Sequence, residues 1–277
     1  MAHNGDPAPQ GQGNRAVNEG MDETGAEIEP HTRESLLLGG RLRLVQPGRG
    51  YRAGMDAALL AAALRLKPGQ RALEIGCGVG AALLQAAARN PEAAFWGVER
   101  DAEALALAQR NIALNALQDR VVAVPGQVAQ GFRALGLRRA DAAIANPPFF
   151  DDPGALRGPT PEKAGAWLAD DGLDAWLGFL ADAVKDGGQM LLIHRADRLG
   201  DILAGFAPRA GSIRVRPIQP YADQPAKRVV VKAVRGGRAP LVLLPPLVLH
   251  DRSGAKHTAE AEAILRGETA LDWDQSA

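Results

Sequence analysis

The 277-residue sequence holds one cysteine, Cys77, only six lysines against 26 arginines, and 4% aromatic residues. It has no net charge, with 32 basic and 32 acidic side chains. No apolar run reaches the roughly 18 residues that a membrane span requires. A single cysteine excludes an internal disulfide, so nothing points to an oxidising compartment. The opening residues, Met1-Ala2-His3-Asn4-Gly5-Asp6, lack the basic-then-apolar order of a secretory signal. The cytoplasm is therefore the expected location, with no membrane partner, no metal and a monomeric state as default expectations.

The zero charge is a cancellation. Residues 1–35 carry a net charge of −5 and residues 259–277 a net of −4, which leaves +9 on the middle of the chain. A basic body attracts polyanions through its long-range field and through counterion release. An even spread of these charges over a solvated surface would do no such thing, and composition alone leaves both readings open.

Residues 1–33 are rich in Gly, Pro, Asn, Glu and Ala. They offer too little apolar surface to offset their ordering entropy, so they are expected to form a disordered acidic tail. Residues 34–66 read as a hairpin and a helix packed on the main fold, with order beginning near Leu36. Leu42, Leu44 and Gln46 alternate with Arg41, Arg43 and Val45, and Pro47-Gly48-Arg49-Gly50 supplies the turn before Tyr51-Arg52. Asp56 then caps an Ala-rich helix that runs to about Leu66 and stops at Pro68-Gly69.

From residue 67 to 258, strands and helices alternate. Strands are expected at Arg71–Ile75, Ala94–Val98, Arg120–Val124, Asp141–Ala145 and Gln189–His194. Helices are expected at Val79–Arg89, Asp101–Leu114 with Asp101 as N-cap, Val128–Leu135, Gly172–Lys185 and Arg198–Phe206. Such an order implies a parallel sheet covered on both faces. Ile213–Ile218 and Arg228–Val234 follow without a helix between them, so an antiparallel pair should close the sheet. Residues 259–277 read as a terminal helix and acidic tail.

Glu74-Ile75-Gly76-Cys77-Gly78-Val79-Gly80 closes the first of these strands and opens a helix. Alternate glycines permit positive φ and let backbone amides approach a ligand. The spacing G-x-G-x-G departs from the G-x-G-x-x-G of dinucleotide dehydrogenases. The next strand ends Gly97-Val98-Glu99-Arg100, where an acceptor-only carboxylate suits two ribose hydroxyls. A plain Gly-rich turn with a solvated Glu99 is the bland alternative. The order strand, turn, helix, strand and terminal acid favours cofactor binding. Cys77 reads as a small loop filler, because no histidine lies near it in sequence.

The fourth strand runs into Asn146-Pro147-Pro148-Phe149-Phe150. Each residue before a proline is kept from the helical region, so Asn146 and Pro147 are held extended. An amino group conjugated to an aromatic ring is a poor nucleophile, because its lone pair is delocalised. Two acceptors, the Asn146 side-chain oxygen and the Pro147 carbonyl, would draw that nitrogen towards tetrahedral geometry. Phe149 could stack on the base, a contact worth about 1–3 kcal/mol. The alternative is a Pro-rich linker with its aromatics tucked into the core.

The glycine turn resembles the first motif of class I S-adenosylmethionine-dependent methyltransferases. The N-P-P-F loop resembles the fourth motif of the members that act on planar nitrogen: adenine, guanine or cytosine bases, or glutamine amides. The Phe form leans towards RNA. The resemblance implies a Rossmann-like fold with a mostly parallel seven-stranded sheet. It implies a cofactor site of Glu74, Gly76, Cys77, Gly78, Gly80, Glu99, Arg100, Gln127, Val128 and Asn146. Many relatives have an acid where this sequence reads Val124-Pro125-Gly126-Gln127-Val128, and Gln127 would have to accept in its place.

Leu42–Gln46, Gly50-Tyr51-Arg52 and Asp56–Leu60 are similar to the start of bacterial tRNA (valine) adenine-N6 methyltransferases. Ala226–Val231 and Pro245–His250 are similar to their end. In that family Asp56 would lie near the methionine end of the cofactor, and tRNA would be the substrate. Arg214, Arg216, Lys227, Arg228, Lys232 and Arg235 crowd the last strands and are the expected RNA-binding residues, with Arg41, Arg43, Arg49 and Arg52 extending the patch. A charged outer sheet face is the plainer alternative. His194 reads as structural, and the Pro/Gly-rich stretch from Asp151 to Asp171 as a substrate lid. Two other activities fit the same motifs: methylation of an rRNA base or of a release-factor glutamine, and non-catalytic RNA binding on a cofactor fold.

Overall fold

A computed structural model describes residues 32–48, 54–148 and 172–274. The chain enters through an antiparallel hairpin of β1 (Thr32–Leu37) and β2 (Leu42–Pro47), with Thr32 opposite Pro47 and Leu37 opposite Leu42. Order therefore starts by Thr32, earlier than Leu36, and the hairpin's turn is Leu38–Arg41 rather than Pro47–Gly50. Gly39 and Gly40 have φ of 67° and 93°, the left-handed geometry that a tight hairpin turn demands and that a Cβ disfavours.

Two asparagines, Asn111 on a later helix and Asn115 at that helix's C-cap, hold this hairpin. Asn111 Oδ1 accepts from Val45 N at 2.8 Å, while its Nδ2 donates to Val45 O and Val79 O. Asn115 repeats the pattern one turn on, with the N–H and carbonyl of Arg43. Side-chain amides thus stand in for a neighbouring strand, satisfying backbone groups that would otherwise be lost on burial.

The helix α1 spans Met55–Ala63, and residues 57–63 are all buried. Gly54, not Asp56, is its N-cap, and the helix stops before Leu66. Then follow β3 (Arg71–Ile75), α2 (Ala81–Arg89), β4 (Ala94–Glu99), α3 (Ala102–Leu114), β5 (Val121–Pro125) and β6 (Ala140–Ala145). Asp101 caps α3 as expected, accepting from Ala104 N at 2.9 Å. The stretch Val128–Leu135 forms two short 3-10 turns instead of a helix.

After residue 172 come α4 (Leu173–Ala183), β7 (Val184–Arg195), α5 (Leu199–Phe206), β8 (Ala210–Gln219) and β9 (Arg228–Arg235). The strand β7 begins five residues before Gln189. Its lower part joins β6 through a register break between Ala140 and Ala142. Two-residue strands β10 (Val242–Leu243) and β11 (Leu247–Val248) flank β8, and α6 (Ala259–Leu265) follows.

The long strands lie in the order β5-β4-β3-β6-β7-β9-β8. All run parallel except β9, which is antiparallel to both neighbours. The expected mostly parallel sheet with an antiparallel closing pair is observed. One face is covered by α1, α2 and α3, the other by α4 and α5, each with its own apolar core. Strand order reverses between β3 and β6, and ligands of open α/β sheets bind at that switch point, beyond the carboxyl ends.

Candidate active site

The turn after β3 is laced to the end of β4. Gly76 N and Cys77 N both donate to Val98 O, at 2.8 and 3.1 Å. Gly76, Gly78 and Gly80 have φ of 69°, 54° and 90°. A Cβ on Gly76 would fall 2.6 Å from the Trp176 indole, so glycine is required there for space as well as for conformation. Glu99 lies across the mouth of the turn, only 8% exposed. Its Oε2 accepts from Gly78 N at 2.7 Å, and its Oε1 accepts from Arg100 N and Asp101 N at 2.9 Å each. Three backbone donors fix a carboxylate that has about four acceptor positions.

Beneath the turn, Glu74 is 3% exposed, and its Oε2 has no hydrogen-bond partner among the described residues. Burial, and then the neighbouring Glu99 carboxylate, raise its pKa well above the usual carboxylate range, against a smaller pull from the Leu83 backbone. The Cys77 thiol is raised likewise by burial, Glu74 and Glu99, which suits a loop filler and not a nucleophile. Gln127 is exposed, and its side chain and that of Gln130 cap each other's backbone N–H. Val128 beside it is buried.

The second half of the site comes from β6. Ile75 pairs with Ala145, so Gly76 and Asn146 leave the sheet side by side at the switch point. Asn146 is half-buried, Pro147 buried and Pro148 half-buried. Phe149, the 151–171 stretch, Arg49, Tyr51 and Arg52 lie outside the described residues. At the end of β7, His194 is 1% exposed. Burial lowers its pKa to about 4, with Arg228 and Arg195 acting in the same direction and a hydrogen bond with the Pro148 backbone opposing. The ring is neutral at physiological pH, and its one N–H is engaged by the Pro148 carbonyl. It backs the loop, in keeping with a structural role.

Comparison with known proteins fits this arrangement. A family model described as Methyltransferase small domain matches residues 52–160. A protein of Agrobacterium tumefaciens, described as a predicted O-methyltransferase, has a crystal structure 27% identical in sequence with a TM-score of 0.66, covering 78% of this chain and 98% of its own. The fold is that of class I S-adenosylmethionine-dependent methyltransferases. Among curated relatives of this chain is the tRNA1(Val) (adenine(37)-N6)-methyltransferase of Porphyromonas gingivalis ATCC 33277, 29% identical over 198 residues, 69% of this chain and 77% of that protein. The enzyme of the same name from Dickeya chrysanthemi is 29% identical over 223 residues, 78% of this chain and 86% of that protein. A ribosomal protein uL3 glutamine methyltransferase of Bradyrhizobium diazoefficiens is 34% identical over 140 residues, 48% of this chain and 43% of that protein.

The residues present fit S-adenosylmethionine: the turn lacks Cβ atoms at alternate positions, and Glu74 offers a buried polar atom that has no partner among the described residues. Among the described residues no group of His, Cys, Asp and Glu could hold a metal, and no helix is long and apolar enough to cross a membrane.

The expected basic patch requires correction. Arg216 is 1% exposed, with Nη1 donating to Pro245 O at 2.9 Å and Nη2 to Asp272 O. Arg214 donates to Trp273 O and pairs with Asp274 at 2.8 Å. Lys232, opposite Arg214 in the sheet, lies over the Trp273 ring at 4.6 Å, and burial lowers its pKa to about 8. These three residues do share a face, but the segment 271–274 returns to cover it. Arg235 is committed to Ala181 O and Asp186, and Arg228 Nε donates to Asp56 Oδ2 at 3.0 Å. Asp56 is thus an ion-pair partner that ties α1 to the start of β9, not a helix cap. Of the six expected RNA contacts, Lys227 alone is exposed.

The reading from sequence missed Asn111 and Asn115. Their spacing of four on an amphipathic helix was the available signal.

Proposed function

We propose that this methyltransferase transfers a methyl group to the N6 amino group of an adenosine in the anticodon loop of a tRNA. The observation that carries the reading is Asn146-Pro147-Pro148 leaving β6 directly beside Gly76. The Asn146 side-chain oxygen and the Pro147 carbonyl would accept the two N–H bonds of the target amine and aim its lone pair. Glu99 would accept from a ribose hydroxyl of the cofactor at its remaining acceptor position, Gly76 to Gly80 would let the cofactor approach the backbone, and Gln127 and Val128 would border its adenine. Glu74 would offer its unpartnered oxygen under the turn. When bound, S-adenosylmethionine supplies an activated methyl group, so positioning replaces strong base catalysis. A neutral His194 is consistent with that economy. Single-stranded loops suit the site, because a base splays into a pocket there at low unstacking cost.

The test is to incubate the purified enzyme with S-adenosylmethionine and tRNA, digest the tRNA, and quantify N6-methyladenosine in the anticodon-loop fragment by mass spectrometry. Methylation is expected with the wild type. Asn146→Ala should abolish it while cofactor affinity stays within about threefold, under roughly 0.7 kcal/mol. A large loss of cofactor affinity would give Asn146 a holding role instead. A carboxamide is also a planar amine, and the similarity to a glutamine methyltransferase favours that second reading. Methyl-glutamine formation in a ribosomal protein or release factor, with none in RNA, would select it.

A further inference from the structure

At the outer end of the sheet, β11 pairs with β8 in parallel, Val248 opposite Gln219. Leu249 N donates to Gln219 O and His250 N to Pro220 O, each at 2.9 Å. The two segments therefore leave the sheet together, and their loops, 220–227 and 250–257, stand on the same carboxyl edge as Asn146.

These loops hold a layered group of rings. His257, 9% exposed, forms the base, and its ring stacks on His250 with centroids 5.2 Å apart. The Tyr221 ring lies 5.4 Å from His250, and the Arg252 guanidinium carbon lies 4.8 Å from the centre of Tyr221. Arg252 Nη2 donates to both oxygens of Asp223, at 3.0 and 2.9 Å. Even so, the Arg252 side chain remains 62% exposed.

An exposed arginine ordinarily samples many rotamers. Here the surrounding loop is fixed as well as the guanidinium. Thr258 Oγ1 donates to Val248 O at 2.8 Å, His250 Nδ1 lies 2.6 Å from Lys256 O, and Ser253 N donates to Asp251 Oδ1. Arg252 itself has φ of 63°, a backbone conformation that disfavours any residue with a Cβ. Exposed Lys227 and Lys256 stand on the same two loops. From β6 to β11 the sheet crosses four strand spacings, about 19 Å at roughly 4.8 Å each. That distance is beyond the target nucleotide and within reach of its neighbours along an unpaired strand.

We propose that the Arg252 guanidinium, held by Tyr221 and Asp223, is a stacking surface for an unpaired base of the RNA substrate, a few nucleotides from the one Asn146 receives. Guanidinium planes and aromatic rings are the surfaces on which unstacked RNA bases pack. This inference rests on the RNA reading above.

The experiment is steady-state methylation of an anticodon stem-loop RNA by full-length wild type, Arg252→Ala, Arg252→Lys and Tyr221→Leu, with thermal melts run alongside. Arg252→Ala and Tyr221→Leu should each raise KM for RNA about tenfold, with kcat at saturating RNA and KM for S-adenosylmethionine unchanged. Arg252→Lys keeps the charge but loses the plane, so it should fail to restore KM. Full restoration by lysine would overturn stacking in favour of a bare charge contact. An Arg252→Ala value within about twofold of wild type would also overturn the proposal, and this exposed position keeps that result free of folding effects. No methylation of RNA by the wild type would instead strike down the RNA reading itself.

Discussion

At the scale of single residues, Glu99 is the best-defined group in the site, because its carboxylate accepts from three backbone N–H groups. In Glu99→Gln an amide NH2 would replace one acceptor and leave a donor facing a donor, at a cost of about 1–3 kcal/mol. Calorimetric melting should show a drop of about 2–4 °C for each kcal/mol, and titration calorimetry should show weakened cofactor binding. Glu74 makes the opposite case, since burial raises its folded pKa above the ordinary 4.5 of an exposed glutamate. Below pH 4.5 both folded and unfolded states hold the proton, and the group contributes nothing to pH dependence. Above it the unfolded chain releases the proton first, so rising pH disfavours folding until the folded pKa is passed. Glu74→Gln should flatten that decline, which urea titrations at pH 5 and pH 8 would reveal; an unaltered slope would count against it. Sequence spacing made Glu99, Gly76 and Asn146 legible because each sits at a strand end. It could not show the partners of Asp56 and Arg216, which come from 172 and 56 residues away.

At the scale of elements, β3 was legible to the residue and α3 to its cap, because apolar runs and an N-cap are local signals. The strand β1 was not. Thr32-Arg33-Glu34-Ser35 is polar and follows a tail-like composition, and it becomes a strand only by pairing with β2. The segment 271–274 is the other non-local element. Leu271 N donates to Ala62 O at 3.0 Å, and Trp273, 4% exposed, donates from Nε1 to Ala63 O at 2.8 Å. Trp273→Ala should destabilise the fold by about 3–5 kcal/mol, as large buried aromatics do. Urea denaturation would measure it, and Arg214 and Lys232 should then become accessible to modification. A loss below about 1 kcal/mol would mean the segment merely rests on the sheet.

At the scale of the whole molecule, the charge cancellation seen in the sequence is partly enacted in the fold. Asp274, from the acidic C-terminal segment, neutralises Arg214, while Asp186 and Asp56, within the basic body, pair with Arg235 and Arg228. Part of the body's surplus of cations is therefore met by the C-terminal segment, and the acidic N-terminal residues are a candidate competitor for the rest. A truncation that tests their effect should remove residues 1–31, because Arg33 and Glu34 already belong to β1. RNA should bind more tightly to the truncated protein at low salt, with the difference fading towards 1 M, where the screening length is about 3 Å. Equal affinities at low salt would leave that segment without a role in RNA binding.

The indole of Trp176 comes within 2.6 Å of where a Cβ on Gly76 would be, and it is 7% exposed. Tryptophan emission responds to small changes in its surroundings. Any ligand that shifts the glycine turn should therefore register in the fluorescence of this one ring, giving a label-free titration of the cofactor site that Trp176→Phe would silence.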